Sequence, residues 1–168
     1  MRKFFAFFLL ISIFFLSGCV QKDLIDIYVF ADRFSRYSKN FEIDTEKFMA
    51  EEETDSLSFP IVFDDKFLIT VRVSKETSLI QSVSVIYAYR KERKISDEDF
   101  SSLKEIIKCS VRSFTNFENT DDIFENLSFG KKGSVYENHH EHFKKEFYEF
   151  SLVTNDIGIY FSAKTERR

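Results

Sequence analysis

The sequence predicts a single α+β domain: one antiparallel sheet of about five strands, with an N-terminal helix and a central helical block packed on one face. Three observations carry this. Residues 58–90 hold three runs that alternate apolar and polar side chains, joined by short polar turns. Residues 97–114 carry apolar side chains at helical spacing behind a strong start signal. Residues 148–163 return to two-residue alternation around an Asn155-Asp156 turn.

The chain opens on Met1-Arg2-Lys3, followed by an unbroken apolar run from Phe4 to Leu16 and then Ser17-Gly18-Cys19. A basic start, a short apolar stretch and a small-residue processing site make a secretory signal. The run is too short to span a bilayer, which takes about 20 apolar residues. Leu16-Ser17-Gly18-Cys19 resembles the lipobox of bacterial lipoproteins. The resemblance implies that Cys19 receives a diacylglyceryl group on its sulfur and that residues 1–18 are cleaved. Cys19 then becomes the lipidated first residue, with residues 19–22 as a very short tether. It also implies a cell-envelope address, extracytoplasmic and anchored to the membrane by lipid. In a two-membrane envelope, Val20 rather than an Asp after Cys19 favours the outer membrane by the same resemblance.

Cleavage leaves 150 of the 168 residues, enough for one domain with a real core. The signal holds Arg2 and Lys3 and no acid, so 24 basic and 28 acidic side chains become 22 and 28, a net charge of −6. That balance argues against nucleic acid and against electrostatic attachment to an anionic membrane. Two acyl chains would anchor the domain instead, at about 0.8 kcal/mol per buried methylene. With Cys19 lipidated, Cys109 has no partner, and stability must come from packing. Sixteen Phe and seven Tyr remain for that purpose.

Leu24, Ile27, Tyr28, Ala31 and Phe34 recur at three- and four-residue steps, predicting a helix over 23–38. Ile25 and Val29 lie off that stripe, which suggests burial on two sides. The domain is therefore expected to begin almost at the bilayer. Asn40 ends the helix, and Phe41 and Ile43 alternate as a short strand. Residues 49–57 are acidic and aperiodic, a solvated loop without the ligand pattern of a calcium loop. Ser58 to Phe63 is the first strand of the meander. Pro60 assigns it to an edge or a strand start, since proline donates nothing to a ladder. Residues 64–66 turn, Phe67 to Val73 alternate, residues 74–78 turn, and residues 79–90 alternate again.

Residues 90–94 form a basic exit. Ser96 reads as an N-cap with Asp97, Glu98 and Asp99 in the first turn, where carboxylates favour the positive end of the dipole. Ile95 and Phe100 occupy staple positions. Phe100, Leu103, Ile107, Val111 and Phe114 mark one face of a helix over 97–114. Cys109 points well away from that face, open either to reactivity or to a tolerated structural place. Thr120 reads as the cap of a short helix over 121–128, with Gly130 as its stop. Residues 157–163 pair with 148–152 as a closing hairpin, and 165–168 form a frayed tail. Residues 23–164 show no repeat or linker.

All three histidines, His139, His140 and His142, fall within four positions. Imidazole suits zinc, copper and nickel. On a strand His140 and His142 share a face; on a helix His139 and His142 do. Either way the segment supplies two local ligands, where a structural zinc takes four and a catalytic one usually three. The competing reading is a polar hairpin or loop. There is no phosphate-binding glycine loop and no Gly-x-Ser-x-Gly elbow. The expected function is a non-enzymatic binding or interaction module without a cofactor, meeting a protein, peptide or small ligand through a sheet face or aromatic cleft. The alternative is a metal-binding or metal-dependent protein using His139, His140 and His142. A cysteine hydrolase built on Cys109 ranks third.

Overall fold

The structure is a computed structural model that describes residues 25–89, 94–129 and 135–166. The signal, Cys19, the basic exit at 90–93 and Gly130 lie outside the described residues. In chain order come helix α1 (Ile27–Tyr37), strands β1 (Glu51–Glu52), β2 (Ser56–Phe63), β3 (Phe67–Ser74) and β4 (Ile80–Ala88), helices α2 (Asp97–Thr115) and α3 (Asp121–Asn126), and strands β5 (His139–Lys145), β6 (Tyr148–Thr154) and β7 (Gly158–Thr165). The strands form one antiparallel sheet ordered β1-β2-β3-β4-β7-β6-β5. The α+β class and the meander are as expected, and β7 joins the closing strands to β4. Among the described residues no helix is long and apolar enough to cross a membrane.

The sheet has seven strands rather than about five because two edge strands carry no apolar alternation. Glu51 and Glu52, expected in a loop over 49–57, pair with Ser58 and Leu57. Residues 139–145, read as a hairpin or loop, pair along their whole length with β6. Beyond Ser58 the outer edge of β2 is uncovered by β1, and Pro60 sits there, where its missing N–H costs no ladder bond. Phe41 and Ile43 form no strand. Their N–H groups donate to the hydroxyls of Ser38 (2.9 Å) and Ser35 (3.2 Å), which fastens this stretch to α1.

Helix α1 starts at Ile27 because the Asp26 carboxylate accepts from Val29 N–H at 2.8 Å. It buries Ile27, Phe30, Ala31 and Phe34. Three residues of the predicted stripe, Ile27, Ala31 and Phe34, are thus buried as expected, and Phe30 takes the place of Tyr28, a rotation of less than a quarter turn. Phe30 faces inward, whereas Tyr28 is 64% exposed, and Val29 is exposed rather than on a second buried side. Phe34 fixes this orientation by stacking on Phe63 of β2 at 5.8 Å.

Helix α2 has the predicted cap, with the Ser96 hydroxyl accepting from Asp99 N–H at 2.9 Å. Asn116, in the left-handed region at φ 62°, closes its other end. The helix packs against both β4 and α1. It therefore buries Ile106, Cys109, Ser110 and Ser113 in addition to the expected stripe. Glu105 ties it to the exit of α1: its carboxylate accepts from Ser38 Oγ (3.0 Å), Lys39 N (2.9 Å), Asn40 N (3.2 Å) and Asn40 Nδ2 (2.7 Å). Burial pushes this carboxyl up, but the donors from Lys39, Asn40 and Ser38 outweigh it and hold it below its ordinary 4.5. Glu105→Gln is expected to cost about 1–2 kcal/mol at pH 7. A carboxyl held low in the fold adds stability above its unfolded value, which is lost as pH falls through its folded value. In chemical denaturation, the gap between native and variant chains should be constant above about pH 6 and shrink below about pH 4.5. A gap independent of pH would contradict this role.

Helix α3 ends earlier than expected. Ser128, at φ 54°, takes a left-handed position just past its end. Ser128 N–H donates to Glu125 O (3.1 Å) and Phe129 N–H to Phe124 O (2.9 Å). This is the paired closure of a Schellman motif, completed by the stacked rings of Phe124 and Phe129 at 5.8 Å. Thr120 precedes the helix, but its side chain makes no capping bond.

The helices lie on one face of the sheet. Ile69, Val71, Val83, Val85, Phe150, Leu152, Ile159 and Phe161 meet them there and are buried. The aromatic surplus is spent largely in this layer, as in the contacts Phe41–Phe63 (5.2 Å) and Phe67–Tyr87 (5.5 Å). Gly158 is required by close approach. A Cβ there would lie 2.3 Å from the Tyr87 carbonyl oxygen, on the strand it pairs with.

Candidate functional site

Among the described residues no helix covers the other face of the sheet, and strand register orders it into three rows. The first runs Val62–Leu68–Ile86–Tyr160–Val153–His140. Six strands at about 4.8 Å make it roughly 24 Å long. Val62 is 61% exposed, and Leu68, Ile86, Tyr160 and Val153 are half-buried. Ile157, in the adjoining turn, is 67% exposed. The second row is hydroxylic: Thr70, Ser84, Ser162 and Ser151, ending on His142. The third is charged: Arg72, Ser82, Lys164, Glu149 and Lys144. Glu149 pairs with Lys164 at 3.2 Å, and Arg72 with Glu53 at 3.0 Å. A groove of about 390 Å³ runs along this charged row.

The rows have a direction relative to the chain's entry. Ile25 is buried in the core, and its carbonyl accepts from Ile80 N–H (3.0 Å) at the start of β4. Ser82 of the charged row lies near that end and Ile86 of the apolar row near the other. The apolar row is thus the one farther from where the N-terminal segment joins the domain.

Strand β5 divides the histidines. His139 faces the helix layer, where its Nδ1 lies 3.0 Å from Thr154 Oγ1 and its buried Nε2 has no hydrogen-bond partner. His140 and His142 stand on the open face with ring centroids 4.1 Å apart. His142 Nδ1 is 3.7 Å from Glu149 Oε1. Among the described residues, no three His, Cys, Asp or Glu side chains are grouped to hold a metal ion. The structure brings together two of the three predicted residues and turns the third away.

Cys109 is 3% exposed, off the predicted stripe but on a second buried face of the helix, which gives it the structural place rather than the reactive one. Burial, with Glu105 beside it, pushes the thiol up to about 11, so it stays protonated at neutral pH. It lines a second groove of about 550 Å³ on the helix layer.

The residues that sequence reasoning missed are those of the apolar row before His140: Val62, Leu68, Ile86, Tyr160 and Val153. Leu68 and Ile86 sit in the nominally polar phase of their strands, and that breach of alternation was the available signal. No protein-family model matches the chain, and searches of curated proteins and of solved structures find no similar protein.

Proposed function

We propose that this chain is an extracytoplasmic lipoprotein, anchored through lipid on Cys19, whose domain is a non-enzymatic binding module meeting a protein partner on the open sheet face. The observation that carries the reading is the apolar row at the end of the sheet away from the chain's entry. Ile25 follows Cys19 by six residues, so covalent geometry keeps the core within about 22 Å of a lipidated cysteine. An anchor that short holds the charged end towards the bilayer and turns the apolar row towards the envelope. Half-buried apolar side chains in a continuous row, opening on the exposed Val62 and flanked by hydroxyls and charges, have the make-up of a protein-binding surface.

Site-specific photo-cross-linking in intact cells tests this. A photoreactive residue replacing Val62 should give one discrete adduct. The same residue replacing Tyr28, equally exposed on the helix layer, should give none. Equal labelling from both positions, or from Tyr28 alone, would count against the sheet face.

A second reading is divalent-metal binding, favoured by the close His140–His142 pair. It needs further ligands from a partner or from outside the described residues. Zinc, copper or nickel should then raise the melting temperature of the native chain and not of a His140→Ala/His142→Ala variant. Equal shifts in both would remove it.

A further inference from the structure

We propose that the groove between the end of α1, the flank of α2 and the start of α3 binds a small organic anion: a carboxylate or phosphate monoester carried on an apolar or aromatic body. This inference is independent of the sheet-face reading, since the groove lies on the helix layer. The chain is acidic overall, with a formal charge of −4, yet Lys39, Lys104, Lys108 and Arg112 all line this one groove. Its carboxylates are Glu105, Asp121 and Glu125. Glu105 is engaged by the Ser38, Lys39 and Asn40 donors, and Asp121 lies 3.7 Å from Lys108 Nζ.

Arg112 is the anchor. Its guanidinium lies over the Tyr37 ring at 4.1 Å from the centroid, which fixes its plane. Its Nε is buried without a hydrogen-bond partner. An arginine whose guanidinium is held over an aromatic ring, with its Nε unpaired, is prepared to meet a carboxylate or phosphate with its planar fork, a geometry lysine does not reproduce. Tyr37, Phe124 and the protonated Cys109 supply the apolar lining for the rest of the ligand.

Benzoate, phenyl phosphate and inorganic phosphate are suitable probes, titrated calorimetrically into the full chain in non-ionic detergent micelles. Benzoate or phenyl phosphate should bind one to one, with inorganic phosphate weaker because it lacks the apolar body. Preference between the first two identifies a carboxylate or a phosphate as the natural head group. Arg112→Gln should weaken binding at least about tenfold, the size of one lost charge-assisted contact. Should that variant not fold, Arg112→Lys, which keeps charge and most of the volume but loses the fork, should weaken binding severalfold. Lys164→Gln, on the sheet face, should leave binding unchanged. Absence of binding by both organic probes at millimolar concentration, or unaltered binding in a folded Arg112 variant, would overturn the proposal.

Discussion

Leu103→Ala is expected to destabilise the domain by about 3–4 kcal/mol and lower its melting temperature by about 10 °C. Leu103 is fully buried on the face of α2 that enters the core between the helix layer and the sheet. Truncation removes the transfer free energy of the lost methyl groups. It also leaves a cavity whose walls are held by Ile106 and Ile107 on the same helix and by the strands beneath, so collapse is limited. Tyr28→Ala is the matched comparison. Its side chain is mostly in solvent and meets the Phe48 ring at a tilt, with centroids 6.1 Å apart, so a change within about 0.5 kcal/mol is expected. Thermal melts of the two variants check the orientation of both helices. A Leu103→Ala chain that melts with the native one would mean that α2 does not pack as described.

Cys19→Ala is expected to abolish fatty-acid incorporation entirely. The chain has two cysteines, and the other cannot substitute. Cys109 is buried in the helix layer, and its thiol stays protonated well above neutral pH. Metabolic labelling with a clickable fatty acid should therefore mark the native chain strongly and the variant not at all. Residual label on the variant would place the lipid elsewhere. Cys109→Ala should be labelled like the native chain, which separates loss of the acceptor from loss of the fold.

Much of the fold was legible because local signals agreed with one another. Helix α2 combined a cap, an acidic first turn and a stripe of apolar residues, and each points to the same boundaries. Strands β3 and β4 alternate cleanly because one face meets the helices. Strand β5 was hidden for a physical reason. As an edge strand it is partly wet on both faces, so Phe143 is its only apolar residue and burial alternates without hydrophobicity alternating. The orientation of α1 was ambiguous because Tyr28 and Phe30 both fit a helical stripe; the stacking of Phe34 on Phe63, a distant residue, decides it. The burial of Cys109 is likewise a tertiary effect, since a helix touching two elements buries two faces.

The candidate surfaces were less legible than the scaffold. The apolar row takes one residue from each of five strands before ending on His140, and it exists only once the register is known. The stacking of Arg112 on Tyr37 joins residues on two helices that no local pattern links. By contrast, the separation of His140 and His142 from His139 follows directly from strand geometry, and only the choice between strand and helix was open.

The most direct test of the central claim is the intact mass of the mature chain recovered from cell envelopes. The expected chain begins at Cys19, has lost residues 1–18 and carries the added mass of a diacylglyceryl group. A chain beginning elsewhere, or one beginning at Cys19 with an unmodified thiol, would contradict the lipid anchor and remove the orientation argument for the open sheet face.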